Sequence, residues 1–186
     1  MSSPSPIPGP FTLAVARTQS VDALVDELMA IDDEASELFR TAGITLDLPA
    51  AHPFVVAERT RWARAAREGQ VIVAIGPSRP IVAFAAHGTL DGLAYLDQLA
   101  VRPSAMRNGL GQRLTEAVVD DVRSRGARAL WLTTYGHLSW NAPFYERLGF
   151  ARVHESECGP ELRATLADQR RVLPRPEERV AMVRAL

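Results

Sequence analysis

The sequence predicts a single α/β (α+β) domain with a central mixed, mostly antiparallel sheet flanked by helices. The chain has 186 residues, which is close to the usual size of one compact domain. Hydrophobic residues make up 47% of it and charged residues 23%, a balance typical of globular proteins. Strand-like and helix-like apolar patterns follow one another without an internal repeat or an interdomain linker. We therefore expect one domain over residues 11–186, preceded by a disordered leader, 1–10, that is rich in proline and serine.

The first half of the chain is predicted to contain a strand, two helices and three further strands. Short apolar runs rich in β-branched residues predict the strands, and apolar residues at steps of three and four predict the helices. A Gly-Pro turn separates two of the strands, which is typical of an antiparallel meander. The predicted elements are a strand at 11–16, helices from Ser20 to before Gly43 and over 54–67, strands at 71–75 and 81–86, a loop at 87–92 and a strand at 93–101.

The second half alternates helix and strand, which is why the sheet is expected to be mixed. The strand that follows the first helix of this half has the continuous apolar character of a buried strand. The predicted elements are a helix from Asn108 to before Gly126, a strand at 127–134, a helix at 141–148, a strand at 150–154, a helix at 161–171 and a final strand at 179–183.

Charge and composition exclude several classes of function. The 21 basic residues nearly balance the 22 acidic residues, so no global field would attract nucleic acid or a membrane surface. Every basic residue is arginine, and without lysine the chain has no Schiff-base nucleophile and no P-loop lysine. No apolar run approaches the roughly 20 residues that span a bilayer. We therefore expect neither a nucleic-acid partner nor a membrane partner.

Cysteine and histidine usage indicates a metal-free protein in a reducing compartment. Cys158 is the single cysteine, which excludes an internal disulfide. The N-terminal residues have neither the basic nor the apolar region of a secretory signal, so we expect a cytoplasmic location. The four histidines have no metal-ligand spacing, and we expect no metal.

A glycine turn between Val101 and Leu114 is the most informative feature. It follows a predicted strand and opens an amphipathic helix, so its backbone can curl tightly and its free amides can bind an anion. Three nearby arginines, Arg102, Arg107 and Arg113, favour a phosphorylated ligand. Taken alone, the turn is equally consistent with a plain connection between strand and helix. A Walker site is excluded because there is no lysine, and Leu114 stands where the dinucleotide fingerprint needs a third glycine.

Two blocks of the sequence resemble the GNAT N-acetyltransferase superfamily. The window Met106-Arg107-Asn108-Gly109-Leu110-Gly111 is similar to the family's acyl-CoA-binding signature, Gln/Arg-x-x-Gly-x-Gly/Ala, except that methionine stands at the first position. In that family the turn binds pyrophosphate largely through backbone amides, so the methionine weakens the match without breaking it. The segment NAPFYERLGF, residues 141–150, is similar to the family's downstream block of Asn, Tyr and Gly-Phe. The order of strands and helices also matches, and the resemblance extends from about Phe11 onward.

The resemblance implies an enzyme that transfers an acetyl group from acetyl-CoA to a primary amine by direct attack. We expect the amine to belong to a small molecule. Two alternatives stay open, namely a protein or peptide N-acetyltransferase of the same fold and a non-catalytic acyl-CoA-binding module. Tyr145 stands at the position of the family's general acid, which favours catalysis. Dimerisation is common in this fold, so a homodimer is also open, with the strand at 179–183 as a participant.

The resemblance also implies a set of site residues. Tyr145 would protonate the leaving thiolate, and a backbone N–H near Leu99, at the bulged end of the fourth strand, would stabilise the developing oxyanion. Residues 99–101 would pair with the pantetheine arm as an added strand. The residues expected to contact acetyl-CoA are Leu99, Ala100, Val101, Met106, Arg107, Asn108, Gly109, Leu110, Gly111, Gln112 and Asn141.

The base that takes the proton from the attacking amine is not fixed by the resemblance. Asp97 is the leading candidate, because it lies two residues before Leu99 and therefore on the same strand face. His137, Glu34 and a water wire are the alternatives. Four acidic residues of the first predicted helix would suit a cationic peptide, although a solvated helix face explains them better: Asp32, Asp33, Glu34 and Glu37.

Overall fold

A seven-stranded sheet runs through residues 10–186, the part of the chain that the computed structural model describes. The leader predicted over 1–10 lies outside the described residues, apart from Pro10. The strands are β1 (Thr12–Val15), β2 (Val71–Ile75), β3 (Ile81–Leu90), β4 (Leu93–Val101), β5 (Ala129–Tyr135), β6 (Ala151–Val153) and β7 (Arg179–Ala185). The helices are α1 (Val21–Arg40), α2 (Pro53–Arg67), α3 (Leu110–Ser124), α4 (Ala142–Arg147) and α5 (Pro160–Val172).

The strand order is β1-β2-β3-β4-β5-β7-β6. Within the described residues, β4 and β5 form the only parallel pair, and every other pair of neighbours is antiparallel. A parallel pair needs a crossover connection, which α3 supplies here. The predicted mixed, mostly antiparallel sheet with flanking helices is confirmed.

Local sequence signals set the helix boundaries. Ser20 caps α1, and its side-chain oxygen accepts a hydrogen bond from the Ala23 N–H at 3.3 Å. Pro53 occupies the first position of α2, where its missing N–H costs nothing. In the range 10–186 no helix is both long and apolar enough to span a membrane.

The prediction of a loop at 87–92 is wrong. β3 continues to Leu90, which pairs with Leu93 across a two-residue turn. Asp91 and Gly92 have φ values of 53° and 71°, the left-handed conformation that a tight hairpin turn requires and that an Asp-Gly pair adopts readily. The polar residues before the turn therefore belong to a strand.

The strand predicted at 179–183 lies inside the sheet rather than at its edge. β7 pairs with β5 on one side and with β6 on the other. The β6 side of β7 is paired over Ala181–Val183, so β7 offers no complete free edge to a second copy of the chain. The homodimer itself stays a prediction.

Helices cover both faces of the sheet. Successive residues of a strand point to opposite sides, so one strand contributes side chains to a core on each face. On one face, Val71 and Val73 of β2 pack in a core with residues of α1 and α2, including the fully buried Leu28. On the other face, Ile72 and Ala74 of the same strand pack in a core with α3.

β4 and β5 part near the centre of the sheet. They pair over Ala94–Leu96 and Leu130–Leu132 only, although β4 continues to Val101 and β5 to Tyr135. The register between β3 and β4 shifts just beyond the last paired residue, where Asp97 has no partner on β3 and forms a β-bulge. An opening therefore lies between the two strands, at the middle of the molecule.

The core under α3 generates a stability prediction. Leu114 is fully buried between α3 and the sheet. Leu114→Ala is expected to lower the free energy of unfolding by about 2–5 kcal/mol, because it removes buried methyl groups and leaves a cavity. Leu93→Ala, at a residue that is 45% exposed, is the matched control and should change it by less than about 0.5 kcal/mol. Urea unfolding followed by circular dichroism measures both, and equal losses would contradict this packing.

Candidate active site

Two cavities meet at the opening between β4 and β5. One has a volume of about 720 Å³ and extends toward α3 and α4, and the other has a volume of about 360 Å³ and extends toward α1, α2 and β7. Residues common to both walls mark the point where they join: Ala35, Phe39, Leu99, Asn141 and Tyr145.

The larger cavity runs along the N-terminus of α3. Gly109 caps this helix with a φ of 70°, and no capping side chain bonds to the first turn. The first amide with a partner inside the helix is that of Arg113, which donates to the Gly109 carbonyl at 3.0 Å. The N–H groups of residues 110–112 therefore have no partner within the helix, and the helix dipole adds positive potential beside them. This geometry suits an anion such as a pyrophosphate.

The free edge of β4 also faces the opening. The Arg102 N–H donates to the Val82 carbonyl of β3 at 2.8 Å. Because N–H groups alternate in direction along a strand, those of Leu99 and Val101 point away from β3 and into the opening. The N–H predicted near Leu99 as an oxyanion donor is thus directed toward the place where the two cavities join.

The residues expected to contact acetyl-CoA are brought together. Of the eleven, all but Asn108 line the larger cavity. The Asn108 side chain instead donates to the carbonyls of Ala105 and Met106, at 3.0 and 3.1 Å, and so fixes the shape of the turn. Arg107 has a φ of 63°, which is uncommon outside glycine and contributes to the tight curl of the backbone.

The arginines around the turn are not one cluster. Arg102 forms an ion pair with Glu34, and Arg113 donates to the Phe11 carbonyl at 3.0 Å. Arg107 lines the larger cavity, and so does Arg147 of α4, which the sequence reasoning missed although it lies within the NAPFYERLGF block. Two arginine side chains therefore border the cavity beside the anion-binding amides.

Tyr145 lies on α4 where the cavities join. Its ring packs at an angle against Phe144 and Phe150, with centroids 5.0 and 5.5 Å away, and 8% of the residue is exposed. Burial raises the pKa of Tyr145 well above its usual value, with a smaller contribution from Tyr95 and an opposing one from Arg179. The phenol therefore stays protonated at neutral pH and can donate a hydrogen bond.

Asn141 fits a bound ligand. Its side-chain nitrogen donates to the Thr134 hydroxyl at 2.7 Å. Its side-chain oxygen is buried and, among residues 10–186, has no hydrogen-bond partner. A buried acceptor on the wall of both cavities, together with the uncapped amides of α3, matches the amide and pyrophosphate groups of CoA.

Carboxylates line the smaller cavity. Asp97 lies at the bulge, and its carboxylate accepts hydrogen bonds from Arg61 Nε at 3.0 Å and from the Trp62 indole at 3.1 Å. Asp32 of α1 is hydrogen-bonded to Gln98, which also lines this cavity. The Asp97 carboxylate is therefore held in place by two fixed donors.

Glu58 of α2 is a further carboxylate of this cavity, and the sequence reasoning missed it. Burial raises the pKa of Glu58 to about 8, and the negative charge of Asp32 adds to the shift. Burial likewise raises the pKa of Asp32 to about 6, against the hydrogen bond from Gln98. The sequence pattern could have indicated Glu58, because this residue lies three residues after Val55 and therefore on the buried face of its helix.

The other predicted bases lie elsewhere. Glu34 pairs with Arg102, and His137 pairs with Glu178, and neither side chain lines the smaller cavity. Of the four acidic residues considered above for binding a cationic peptide, Asp32 and Asp33 line the smaller cavity. Among residues 10–186, no three His, Cys, Asp or Glu side chains are placed to hold a metal ion. The expected absence of a metal stays a prediction.

The sequence matches known acetyltransferases. Residues 28–150 match the model of the acetyltransferase (GNAT) family. The chain is 33% identical over 113 residues to the ribosomal protein bS18-alanine N-acetyltransferase of Escherichia coli (strain K12). That alignment covers 57% of this chain and 76% of the relative.

The fold is shared with acetyltransferases of solved structure. An acetyltransferase from Streptococcus agalactiae 2603 superposes with a TM-score of 0.69 at 16% identity, covering 96% of this chain and 99% of the other. N-acetylglutamate synthase from Neisseria gonorrhoeae, complexed with coenzyme A and N-acetyl-glutamate, superposes with a TM-score of 0.62 at 16% identity. The match covers 95% of this chain and 35% of the synthase, so this chain spans about a third of that protein. The chain belongs to the GNAT acetyltransferase family and is an acyl-CoA-dependent N-acetyltransferase.

Proposed function

We propose that this protein transfers the acetyl group of acetyl-CoA to the primary amine of a small molecule, with Tyr145 as the general acid. The observation that supports this most directly is the meeting of two unlike cavities at Leu99, Asn141 and Tyr145. The larger one offers backbone amides to a pyrophosphate. The smaller one offers carboxylates to an amine, and its volume of about 360 Å³ suits a compact acceptor.

The cosubstrate would be held by main-chain groups. Acetyl-CoA supplies an activated thioester. The N–H groups of residues 110–112 bind its pyrophosphate, and the free edge of β4 at 99–101 pairs with its pantetheine arm. The Leu99 N–H then donates to the thioester carbonyl oxygen as negative charge develops there, a contribution that is typically about 2.7–4 kcal/mol.

Three proton transfers balance the reaction, because the acceptor nitrogen loses two protons as the ammonium becomes an amide. Tyr145 donates its hydroxyl proton to the CoA sulfur as the carbon–sulfur bond breaks, and the proton that the nitrogen loses once the carbon–nitrogen bond has formed restores the phenol. We propose Glu58 as the base that takes a proton from the acceptor ammonium, because its pKa of about 8 keeps it basic and partly ionised near neutral pH. Asp97 stays the alternative base, although its carboxylate already accepts hydrogen bonds from Arg61 and Trp62.

A peptide N-terminus is the second candidate acceptor. The relative that is 33% identical to this chain is a ribosomal protein bS18-alanine N-acetyltransferase, which favours an α-amine on a protein. The shape of the smaller cavity favours a compact acceptor over a peptide. Its walls come from both sides of the opening and include Leu46 and Leu48 of the segment after α1 and Gln169 of α5.

We also propose a cytoplasmic location, with acetyl-CoA and an amine as the only substrates.

Replacing the acid tests the proposal. Tyr145→Phe is expected to lower kcat by roughly 10²–10⁴-fold while leaving the Kd for acetyl-CoA within a factor of about two, because the hydroxyl acts on the leaving group and the ring packing is kept. Release of free CoA thiol from acetyl-CoA is measured with a panel of small amines, amino acids and short peptides, and calorimetry measures the Kd.

The same panel separates the two acceptors. A peptide that accelerates CoA release more than every small amine would replace the small-molecule proposal with the second candidate. Normal turnover in Tyr145→Phe would remove this residue from the mechanism. If acetyl-CoA fails to bind the wild-type protein, the whole assignment is wrong.

The glycine turn generates a binding prediction with a matched control. Gly109 and Gly92 have φ values of 70° and 71°, and at both positions an added Cβ meets nothing within 4 Å. Both alanine variants therefore carry a similar backbone strain, but only Gly109 lines the larger cavity. Gly109→Ala is expected to raise the Kd for acetyl-CoA about tenfold or more, whereas Gly92→Ala leaves it unchanged. Calorimetric titration decides, and equal effects would argue against the turn as the pyrophosphate site.

The base generates a pH prediction. Because only the ionised carboxylate accepts a proton, kcat/KM should rise as pH increases through about 8, the pKa of Glu58. Glu58→Gln should abolish that rise, whereas Asp97→Asn should keep it with a midpoint at lower pH, because the charge of Asp97 helps to raise the pKa of Glu58. The profile is recorded with two acceptors whose amines have different pKa values. A midpoint that follows the acceptor's own pKa, or that persists in Glu58→Gln, would exclude Glu58 as the base.

A further inference from the structure

Arg179 places a buried positive charge on the wall of the smaller cavity. It is the first residue of β7, it pairs with Tyr135 of β5, and 8% of the residue is exposed. Its guanidinium carbon lies 4.8 Å from the centroid of the Tyr135 ring. One terminal nitrogen donates to the Gln169 side-chain oxygen at 2.6 Å and to the Thr133 hydroxyl at 3.5 Å. All three of these partners are neutral.

Arg179 forms no direct ion pair in the described part of the chain, and the charge of Glu58 acts on it only from beyond ion-pair distance. No carboxylate oxygen of residues 10–186 forms an ion pair with it within 4.0 Å, and its Nε is buried without a hydrogen-bond partner. Arg61, on the wall of the same cavity, is by contrast paired with Asp97 at 3.0 Å. A buried guanidinium is costly unless it is paired, and its planar fork matches a carboxylate. The unpaired donor therefore points to an anionic group on the ligand.

The acidic groups of the cavity lie on other elements. Asp32 is on α1, Glu58 on α2 and Asp97 on β4, and Arg61 forms ion pairs with Asp97 at 3.0 Å and with Glu58 at 3.9 Å. Arg179 comes from β7. The cavity thus has an acidic wall for an ammonium group and a separate basic point for an anion.

We infer that the acceptor is an amino carboxylate, whose amine lies at the acidic wall near Leu99 and whose carboxylate binds the guanidinium of Arg179. The position of the amine rests on the proposed function, whereas the carboxylate site rests on Arg179 alone. Arg179 thereby determines specificity and takes no part in the proton transfers.

A purely structural arginine is the competing explanation. In that case Arg179 ties β7 to α5 through Gln169 and to β5 through Tyr135, and its loss affects stability but not the choice of acceptor. The two explanations differ in selectivity between a carboxylate and its uncharged amide, which a structural role would not change.

The experiment compares matched acceptors. Amino acids with the amine in the α, β or γ position are each paired with their own primary amide, and binding to the CoA-loaded protein is measured by calorimetry and acetylation by thiol release. For at least one pair, the wild-type protein is expected to prefer the carboxylate by about 30-fold or more. Arg179→Gln should remove that preference, and Arg179→Lys should retain part of it. Arg171→Gln, at a side chain that is 73% exposed, is the matched control and should behave as wild type.

Each outcome separates the inference from the proposed function. Equal binding of carboxylates and amides by the wild-type protein, no binding of any pair, or a parallel loss for both members in the folded Arg179→Gln and Arg179→Lys proteins would overturn the inference. CoA release with neutral amines but no preference would leave the proposed function and overturn the carboxylate site. Tight carboxylate binding that depends on Arg179, without any CoA release, would support the site and overturn the proposed amine transfer.

Discussion

The parting of β4 and β5 is the constraint on which the rest of the site depends. If the two strands were paired to their ends, the N–H groups of Leu99 and Val101 would be satisfied within the sheet and no opening would exist. The bulge at Asp97 instead ends the pairing after Leu96. Backbone groups that a regular sheet would consume become available to a ligand, and the N-terminus of α3 and the Tyr145 hydroxyl are arranged around the same gap.

The buried carboxylates of the smaller cavity affect the stability of the fold. Burial and the nearby charge of Asp32 raise the pKa of Glu58 in the folded protein to about 8, far above its ordinary value of 4.5. The folded state therefore holds this proton more tightly than the unfolded state does. The stabilisation from the protonated group is complete below about pH 4.5 and is lost as pH rises toward 8. If Glu58 is the base proposed above, the group kept basic for proton transfer makes the fold less stable in the pH range where it acts.

Local patterns predicted most of the fold and the residues that line the larger cavity, whereas the smaller cavity depends on long-range contacts. The glycine turn and the NAPFYERLGF block are continuous in sequence, so their residues and spacing could be recognised directly. Arg179 could not be recognised, because it reaches the cavity only through the pairing of β7 with β5. Glu58 required knowing which face of α2 packs inward. The arginines near the turn were misleading for the opposite reason, since Arg102 and Arg113 are close to it in sequence but bind Glu34 and Phe11.

The insertion of β7 between β5 and β6 has a consequence for the order of assembly. β6 precedes β7 in the chain, yet within the described sheet β7 is its neighbour, so β6 has nothing to pair with until β7 has docked on β5. Pairing between segments that are distant in sequence loses loop-closure entropy before it gains contacts, and this makes it a slow step of folding. The meander and α3 can form from nearer segments of the chain. The N-terminus of α3 therefore depends on nearer segments of the chain than the position of Arg179 does, because Arg179 reaches its place only through the pairing of β7 with β5.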